Sequence, residues 1–225
     1  MPRTAGPRRY RSDPATSPLE HLWFRGLRTL ARGIVRSLYR LEAKGLEHIP
    51  EHTGAIVVAN HVSFIDWLIV GATLPRVPRF VMHHHHFRYR ALRWFFRASR
   101  VIPIAPRKED PEMLDRALDR IDEALAHGEL VLIFPEGRMT PHGELSAIRP
   151  GVERIVARRP VPVIPVALRG LWGSFFSCYG GPPMRKRPRR LWAKVQVVAD
   201  EPIAPTEVSV DRIAHALRTL RGAPC

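Results

Sequence analysis

The chain has 225 residues, 45% of them hydrophobic, and its 36 lysine and arginine residues against 21 acidic residues give a formal net charge of +15. This length and apolar content favour one well-buried domain and exclude two domains of ordinary size. The charge predicts a surface that attracts anionic lipid or phosphorylated substrates. The two cysteines, Cys178 and Cys225, lack the pattern of a disulfide framework or a zinc site, which favours a reducing compartment.

The amino-terminal region has two parts. Residues 1–17 are polar and rich in arginine and proline, which predicts a disordered basic tail without the apolar centre of a secretory signal. Residues 18–42 predict an amphipathic helix, in which apolar residues recur at helical spacing and arginines lie off that stripe. No apolar run reaches roughly 18 residues, so no membrane-spanning helix is expected.

Two interpretations of the 18–42 helix stay open. A basic amphipathic helix with Trp23 near its start can lie in the interface of a membrane that contains anionic lipid. The same pattern fits a helix that packs on the core and exposes a solvated basic face. The first interpretation predicts a membrane-peripheral protein at the cytoplasmic face.

Residues 43–225 predict a single α/β domain. Apolar runs separated by helical patterns indicate a mixed central sheet that is flanked by helices, following the amino-terminal helix. The predicted strands lie near residues 40–45, 55–59, 79–82, 101–104, 130–134, 163–168 and 192–199, and the predicted helices near 64–73, 111–127 and 210–220.

The strand predicted at 55–59 ends in a polar segment that contains His61 and Asp66. Ligands of open α/β sheets bind beyond the carboxyl ends of strands, and a histidine oriented by a carboxylate can act as a general base. The same residues also fit a helix start, in which Ser63 and Asp66 form a capping box without any chemistry. A carboxylate in the first turn of a helix can serve both roles.

A second strand, predicted at 130–134, also ends in polar residues. Glu136 can accept hydrogen bonds from hydroxyl groups, and the planar guanidinium of Arg138 suits a phosphate. Gly137 allows a tight turn whose backbone approaches a ligand. The alternative is an ordinary turn that carries an exposed ion pair.

Together, His61 with Asp66 and the later segment Phe134-Pro135-Glu136-Gly137-Arg138 resemble the motifs of the PlsC-type glycerophospholipid acyltransferase family. Residues 100–107 and 161–168 resemble the second and fourth blocks of that family. The resemblance extends over about residues 45–202, which is most of the chain.

The resemblance implies an O-acyltransferase that moves a fatty acyl group from acyl-CoA or acyl carrier protein to the free hydroxyl of a lysophospholipid. The implied acceptor is 1-acylglycerol 3-phosphate, which gives phosphatidic acid without a covalent intermediate. It further implies that His61 is the general base, oriented by Asp66. Neither a metal nor a cofactor is implied beyond the acyl carrier as co-substrate. The residues implied to bind the glycerol phosphate are Glu136, Gly137 and Arg138, with Arg149 as a further basic contact.

The chain departs from the family pattern in its second block, which lacks the usual glycine and aspartate–arginine pair. Arg107 lies one position later than the arginine of the family pattern, so it is either a phosphate contact or a solvated arginine. Residues 102–106 and 167–170 resemble a lysophospholipid acyltransferase arm found in multidomain relatives, which leaves lysophosphatidylethanolamine or another lysophospholipid as an alternative acceptor. A third hypothesis is a non-catalytic basic module for anionic lipid or nucleic acid, although no nucleic-acid motif is present and no such partner is expected.

Four consecutive histidines, His83 to His86, follow the strand predicted at 79–82. Successive side chains of a strand point in different directions, so these histidines are not expected to share one metal ion. A partly exposed segment that faces a substrate channel or a membrane is the favoured interpretation.

Overall fold

The computed structural model describes residues 18–88, 96, 98–190 and 192–222. The tail predicted for residues 1–17 and Cys225 lie outside these ranges. The helices are α1 (Pro18–Leu38), α2 (Asp66–Thr73), α3 (Pro111–Ala126), α4 (Gly151–Arg158) and α5 (Val210–Arg221). The strands are β1 (Arg40–Lys44), β2 (Ala55–Ala59), β3 (Arg79–His83), β4 (Ile102–Ile104), β5 (Leu130–Ile133), β6 (Val163–Arg169) and β7 (Lys194–Ala199). Short 3₁₀ helices cover Leu46–His48, His84–Arg88 and Pro205–Glu207.

The strands form one 7-stranded sheet in the order β1-β7-β6-β2-β5-β3-β4. Strands β6 and β7 pair antiparallel, and the other neighbours pair parallel. The sheet is therefore mixed, which confirms the predicted fold class. Because β2, β3, β4, β5 and β6 run in one direction, their carboxyl ends meet at one edge of the sheet.

The central strand β2 is buried along its whole length. Ala55, Val57 and Ala59 pack in one apolar cluster with buried residues of α1 and α2. Ile56 and Val58 point to the opposite face, where they pack in a second cluster with α3, α4 and α5. Burial on both faces explains why the sequence of β2 is a continuous apolar run instead of an alternation of apolar and polar residues.

Helix α1 covers Pro18–Leu38 of the segment predicted as a helix at 18–42, whose residues from Arg40 onward belong to β1 instead. One face of α1 packs on α2. Ala31 and Val35 are buried. The guanidinium of Arg28 donates to the carbonyls of Leu74 and Pro75 just past the end of α2, and that of Arg32 donates to the carbonyl of Ala72. Some of the predicted basic face is thus bonded to the carboxyl end of α2, where a helix presents unpaired carbonyls.

Another part of α1 stays exposed. Four large apolar side chains reach solvent, namely Leu22, Trp23, Leu30 and Ile34, with exposed fractions of 67%, 37%, 60% and 40%. Arg25, Arg32 and Arg36 of the same helix are exposed as well. One face of α1 is therefore packed on the core, as the second interpretation states, and the binding of its exposed face to a membrane stays a prediction. No helix in the described ranges has both the length and the apolarity required to cross a bilayer.

Helix α4 was not predicted from the sequence. It has only 8 residues, and three of them, Val152, Ile155 and Val156, are buried against the second cluster. Isolated helices of this length are unstable, so tertiary packing determines whether such a segment is helical. Its position after the turn at 135–150 places it close to the carboxyl end of β5.

Candidate active site

His61 and Asp66 meet where β2 ends and α2 begins. The Nδ1 atom of His61 lies 2.8 Å from Oδ2 of Asp66. The same oxygen accepts hydrogen bonds from the backbone N–H groups of Val62 at 2.7 Å and Ser63 at 2.9 Å. The carboxylate therefore satisfies backbone donors and orients the imidazole at once. The Ser63 hydroxyl does not complete a capping box, because the residue that caps α2 is Ile65 and has no side-chain cap.

The pair differs in exposure: the Asp66 side chain is 0% exposed and that of His61 is 22% exposed. Burial raises the pKa of the Asp66 carboxyl, whereas hydrogen bonds from His61 and from the backbone N–H groups lower it. A carboxylate at Nδ1 favours the tautomer with its proton on that nitrogen. Within the described part of the chain, the Nε2 atom of His61 has no hydrogen-bond partner, so it is available to accept a proton.

Polar groups on the far side of Asp66 form a patch that sequence reasoning missed. Among the described residues, Oδ1 of Asp66 and the hydroxyls of Tyr39 and Ser174 are buried without a hydrogen-bond partner. Burial raises the pKa of Tyr39, the nearby Ser174 hydroxyl lowers it, and the charge of Asp66 raises it further. No sequence pattern marks either hydroxyl, since only the folded chain brings Tyr39 near Asp66.

The Glu136 side chain connects the two predicted motifs. Its Oε1 atom accepts a hydrogen bond from the backbone N–H of His61, and its Oε2 atom accepts one from the backbone N–H of Ser146, both at 2.7 Å. Burial raises the pKa of the Glu136 carboxyl, and these two backbone donors lower it. Glu136 is only 2% exposed. The structure gives it a positioning role, and its contact with an acceptor hydroxyl stays a prediction.

Two further contacts hold the loop around His61. The ring of Phe134 stacks on the imidazole, with ring centroids 4.3 Å apart and planes inclined by 19°. The Asn60 side chain donates to the Leu168 carbonyl at 3.0 Å and accepts from the Leu168 N–H at 2.7 Å, which fastens the end of β2 to β6. A polar residue directly after a fully apolar strand is the signal that points to Asn60, whereas nothing in the sequence pointed to the stacking of Phe134.

The turn after β5 carries the residues predicted to bind phosphate. Gly137 has a φ of +69°, and a β-carbon at this position would lie 2.9 Å from the guanidinium carbon of Arg149. The Arg149 side chain therefore lies against the turn. Arg138 and Arg149 are exposed, and neither makes an ion pair within the described part of the chain. The structure thus brings Glu136, Gly137, Arg138 and Arg149 to one turn that is bonded to His61.

Arg107 lies elsewhere on the same edge of the sheet. It follows β4, the edge strand that is separated from β2 by β5 and β3. Its side chain is 65% exposed and lies 3.5 Å from the Asp115 carboxylate. The structure pairs Arg107 with an acid instead of bringing it beside His61, and the phosphate contact implied for it stays a prediction.

The expectation that the run His83–His86 diverges is wrong for its first three residues. Strand β3 ends at His83, and a 3₁₀ helix begins at His84. One ligating atom from each of His83, His84, His85 and Glu109 lies within 4.8 Å of the others. The change from extended to tightly wound backbone brings these side chains together.

A comparison with protein families places this fold and site in a known group. A family model described as Acyltransferase matches residues 40–169, more than half of the chain. The matched region contains β1 to β6, the His61–Asp66 pair and the turn at 135–140. The chain therefore belongs to the Acyltransferase family.

Individual relatives agree with this membership. The chain is 30% identical over 133 residues to the chloroplastic 1-acyl-sn-glycerol-3-phosphate acyltransferase BAT2 of Brassica napus, a match that covers 59% of this chain and 38% of the relative. It is 27% identical over 183 residues to a 1-acyl-sn-glycerol-3-phosphate acyltransferase of Chlamydomonas reinhardtii, covering 80% of this chain and 51% of the relative. The chain thus aligns with about half or less of the length of these curated relatives.

A solved structure shares the fold. The crystal structure of the 1-acyl-sn-glycerophosphate (LPA) acyltransferase PlsC from Thermotoga maritima superposes with a TM-score of 0.66 at 21% identity. The superposition covers 88% of this chain and 78% of that one. The architecture predicted from the alternation of apolar runs and helical patterns, a mixed sheet flanked by helices, is therefore that of PlsC.

Proposed function

We propose that this protein is an O-acyltransferase that moves a fatty acyl group from acyl-CoA or acyl carrier protein to the free hydroxyl of 1-acylglycerol 3-phosphate. The observation that carries this proposal is the His61–Asp66 pair, fastened through Glu136 to a turn with two exposed arginines. The relatives named as 1-acyl-sn-glycerol-3-phosphate acyltransferases support the choice of acceptor.

The reaction proceeds by direct attack of the acceptor on the thioester. The Nε2 atom of His61 accepts the hydroxyl proton as the acceptor oxygen bonds to the carbonyl carbon, and the carbon–sulfur bond breaks. The imidazolium returns the proton to the leaving thiolate, which departs as a thiol. Asp66 steadies the imidazolium through Nδ1, and such positioned acid–base help typically contributes about 10²–10⁴-fold in rate.

Arg138 and Arg149 bind the phosphate of the acceptor. A guanidinium offers paired N–H donors that match phosphate oxygens, and the exposure of both side chains leaves these donors accessible. The net charge of +15 adds a long-range attraction for anionic substrates. A phosphomonoester acceptor satisfies both features better than a zwitterionic head group does.

An apolar pocket against α2, the helix that begins at Asp66, suits the hydrocarbon part of a lipid substrate. It lies between α1, α2, β3 and the residues before β4. Its lining includes Leu27, Ala31, Trp67, Leu68, Phe80, Met82, Phe96 and Val101.

The protein acts at a membrane surface, on the cytoplasmic face, where its lipid substrates lie. The exposed leucines of α1 and the basic surface support this, because interfacial helices combine apolar insertion with attraction to anionic lipid. Residues of α1 also line the apolar pocket, so a lipid can pass from the membrane to the pocket along one helix.

The test is transfer from labelled acyl-CoA or acyl carrier protein to a panel of lysophospholipids by the purified chain. We expect 1-acylglycerol 3-phosphate to be preferred over lysophosphatidylethanolamine and lysophosphatidylcholine. His61→Ala is expected to lower kcat by about 10²–10⁴-fold. His52→Ala, in an exposed pair with Glu51, is the matched control and is expected to retain full turnover.

Each negative result of this assay leads to a different conclusion. Absence of transfer to every acceptor would reject the proposed function, and preference for lysophosphatidylethanolamine would replace the acceptor. Unchanged turnover in His61→Ala would reject the role of His61 alone.

A further inference from the structure

We propose that His83, His84, His85 and Glu109 form a binding site for a divalent transition-metal ion such as Zn²⁺. Imidazole nitrogen is a preferred ligand of Zn²⁺, Ni²⁺ and Cu²⁺, and a carboxylate oxygen completes many zinc sites. His61 and Asp66 are not among these ligands, so this site is distinct from the candidate active site.

The fold brings the four residues together from two neighbouring strands. β3 and β4 pair parallel, with His83 opposite Ile104, so the segments that follow them leave the same edge of the sheet. His84 and His85 lie in the first turn of the 3₁₀ helix. Glu109 lies in the turn after β4, where its N–H donates to the Pro106 carbonyl at 2.9 Å.

The side chains already contact one another. Nε2 of His83 lies 3.2 Å from a carboxylate oxygen of Glu109, and Nδ1 of His83 lies 3.0 Å from Nδ1 of His85. The centroids of the three imidazole rings are 4.5–4.8 Å apart. Such crowding of three imidazoles costs conformational freedom, and a shared ion would compensate for it.

The spacing suits four-coordinate zinc. With zinc–nitrogen distances of about 2.0–2.1 Å, ligand atoms at tetrahedral corners are about 3.3 Å apart. Candidate ligand atoms in the cluster lie within 4.8 Å of one another. His85 and Glu109 are both exposed, so rotation of their side chains can bring the ligand atoms to the tetrahedral spacing without movement of the sheet.

A buried polar atom gives independent support. Among the described residues, Nδ1 of His84 is buried and has no hydrogen-bond partner. Burial of an unpaired polar atom is unfavourable, so such atoms usually mark a missing partner. A metal ion in the cluster is a partner that this imidazole can bind, and the exposure of His85 and Glu109 gives the ion access from solvent.

The position of the cluster connects it to the cleft. His86, the next residue in the run, lies within electrostatic range of both His83 and His61. A bound cation would therefore add positive charge near the candidate active site. The proposal concerns binding of the ion, and it stands or falls independently of acyl transfer.

The test uses the full chain without an affinity tag, stripped of metal by a chelator. Titration of Zn²⁺ against a competing chromophoric chelator is expected to give one tight site per chain. His83→Ala with His85→Ala is expected to weaken binding by at least about 100-fold, since even outer-shell partners of a metal typically contribute 10–100-fold. The matched control, His52→Ala with His127→Ala, removes two exposed histidines elsewhere and is expected to retain full affinity.

Two additional measurements keep the result decisive. His61→Ala is expected to bind Zn²⁺ normally, whereas lost binding would assign the ion to the catalytic pair and overturn the proposal. X-ray absorption of the zinc-loaded wild-type chain is expected to report histidine ligands, which does not depend on the folding of any variant. Absence of a tight site in the wild-type chain, or full affinity in the variant lacking His83 and His85, would also overturn it.

Discussion

The backbone N–H of His61 donates a 2.7 Å hydrogen bond to the side chain of Glu136, a residue 75 positions later. This bond joins the ends of β2 and β5, which are paired parallel neighbours in the sheet. The backbone of Thr140 strengthens the connection, because its N–H donates to the His61 carbonyl at 2.8 Å. The proposed base and the proposed phosphate-binding turn therefore form one rigid unit.

Glu136→Gln tests this connection. An amide has a single acceptor atom, so one of the two backbone donors, at His61 or Ser146, loses its partner. Such a buried unpaired group typically costs about 1–3 kcal/mol, and we expect urea unfolding at lower concentration together with reduced turnover. Glu144→Gln is the control, since Glu144 is 62% exposed in an ion pair with Arg221. Equal stability of the Glu136 variant and the wild-type chain would contradict the bridging role.

Asp66→Asn tests the orientation of the base. The substitution keeps the size of the side chain but removes the negative charge that stabilises the His61 imidazolium. Because the equivalent loss in a related histidine–carboxylate arrangement lowers kcat by about 10⁴-fold, we expect a fall of about 10²–10⁴-fold in kcat with little change in KM. Asp115→Asn, at a carboxylate that is 61% exposed, is the control. A normal kcat in the Asp66 variant would show that the carboxylate has only a capping role.

Gly137→Ala tests the geometry of the turn. The left-handed backbone at this residue costs other amino acids roughly 1–2 kcal/mol, and the added carbon would displace the Arg149 side chain. We expect lower stability in chemical denaturation and a higher KM for the acceptor. Gly151→Ala should have neither effect, because no atom other than those of its chain neighbours and its own helix lies within 4 Å of the β-carbon position there. An unchanged acceptor KM would remove Gly137 from the binding turn.

Arg138→Ala and Arg149→Ala test the recognition of phosphate. Loss of a charge-assisted hydrogen bond costs about 1.5–3 kcal/mol, so each substitution is expected to raise the acceptor KM about 10- to 100-fold while kcat is largely retained. Arg120→Ala, at an exposed position on α3, is the control. Steady-state kinetics with varied acceptor measures the effect, and a fall confined to kcat would contradict simple phosphate binding.

Leu22→Ala combined with Leu30→Ala tests the membrane contact of α1. Full burial of a leucine contributes about 1.5–3 kcal/mol, so the double substitution is expected to weaken vesicle binding by at least tenfold. Both side chains are largely exposed, so the fold should be preserved, which circular dichroism can verify. Sedimentation with anionic and zwitterionic vesicles provides the measurement. Undiminished binding would assign membrane attachment to another surface.

The sequence predicted the sheet well because buried strands carry an unmistakable apolar signal. The run Ala55–Ala59 is such a strand, and the polar segment after it contains His61 and Asp66, which the structure brings within 2.8 Å of each other. The family model confirms the acyltransferase resemblance that those motifs suggested, and the structural match confirms the fold. The local sequence pattern was sufficient for these features because the polar residues of the candidate site follow directly after the strand.

Features that depend on tertiary contact could not be predicted in this way. The partners of Glu136 are backbone N–H groups, which every residue except proline possesses, so no residue type in the sequence identifies them. The convergence of His83, His84 and His85 depends on where β3 stops. Helix α4 requires a neighbouring apolar surface before it is stable.

The antiparallel pairing of β6 with β7 has a consequence for the start of the domain. Since β1 runs parallel to β7, its first residue, Arg40, lies at the same border of the sheet as the end of β2. That reversal is why Tyr39, immediately before β1, approaches Asp66 from behind. Helix α1, whose exposed leucines are proposed to contact lipid, therefore ends next to the proposed catalytic pair. The reversed direction of β7 and β1 thus joins the proposed membrane contact to the proposed catalytic site.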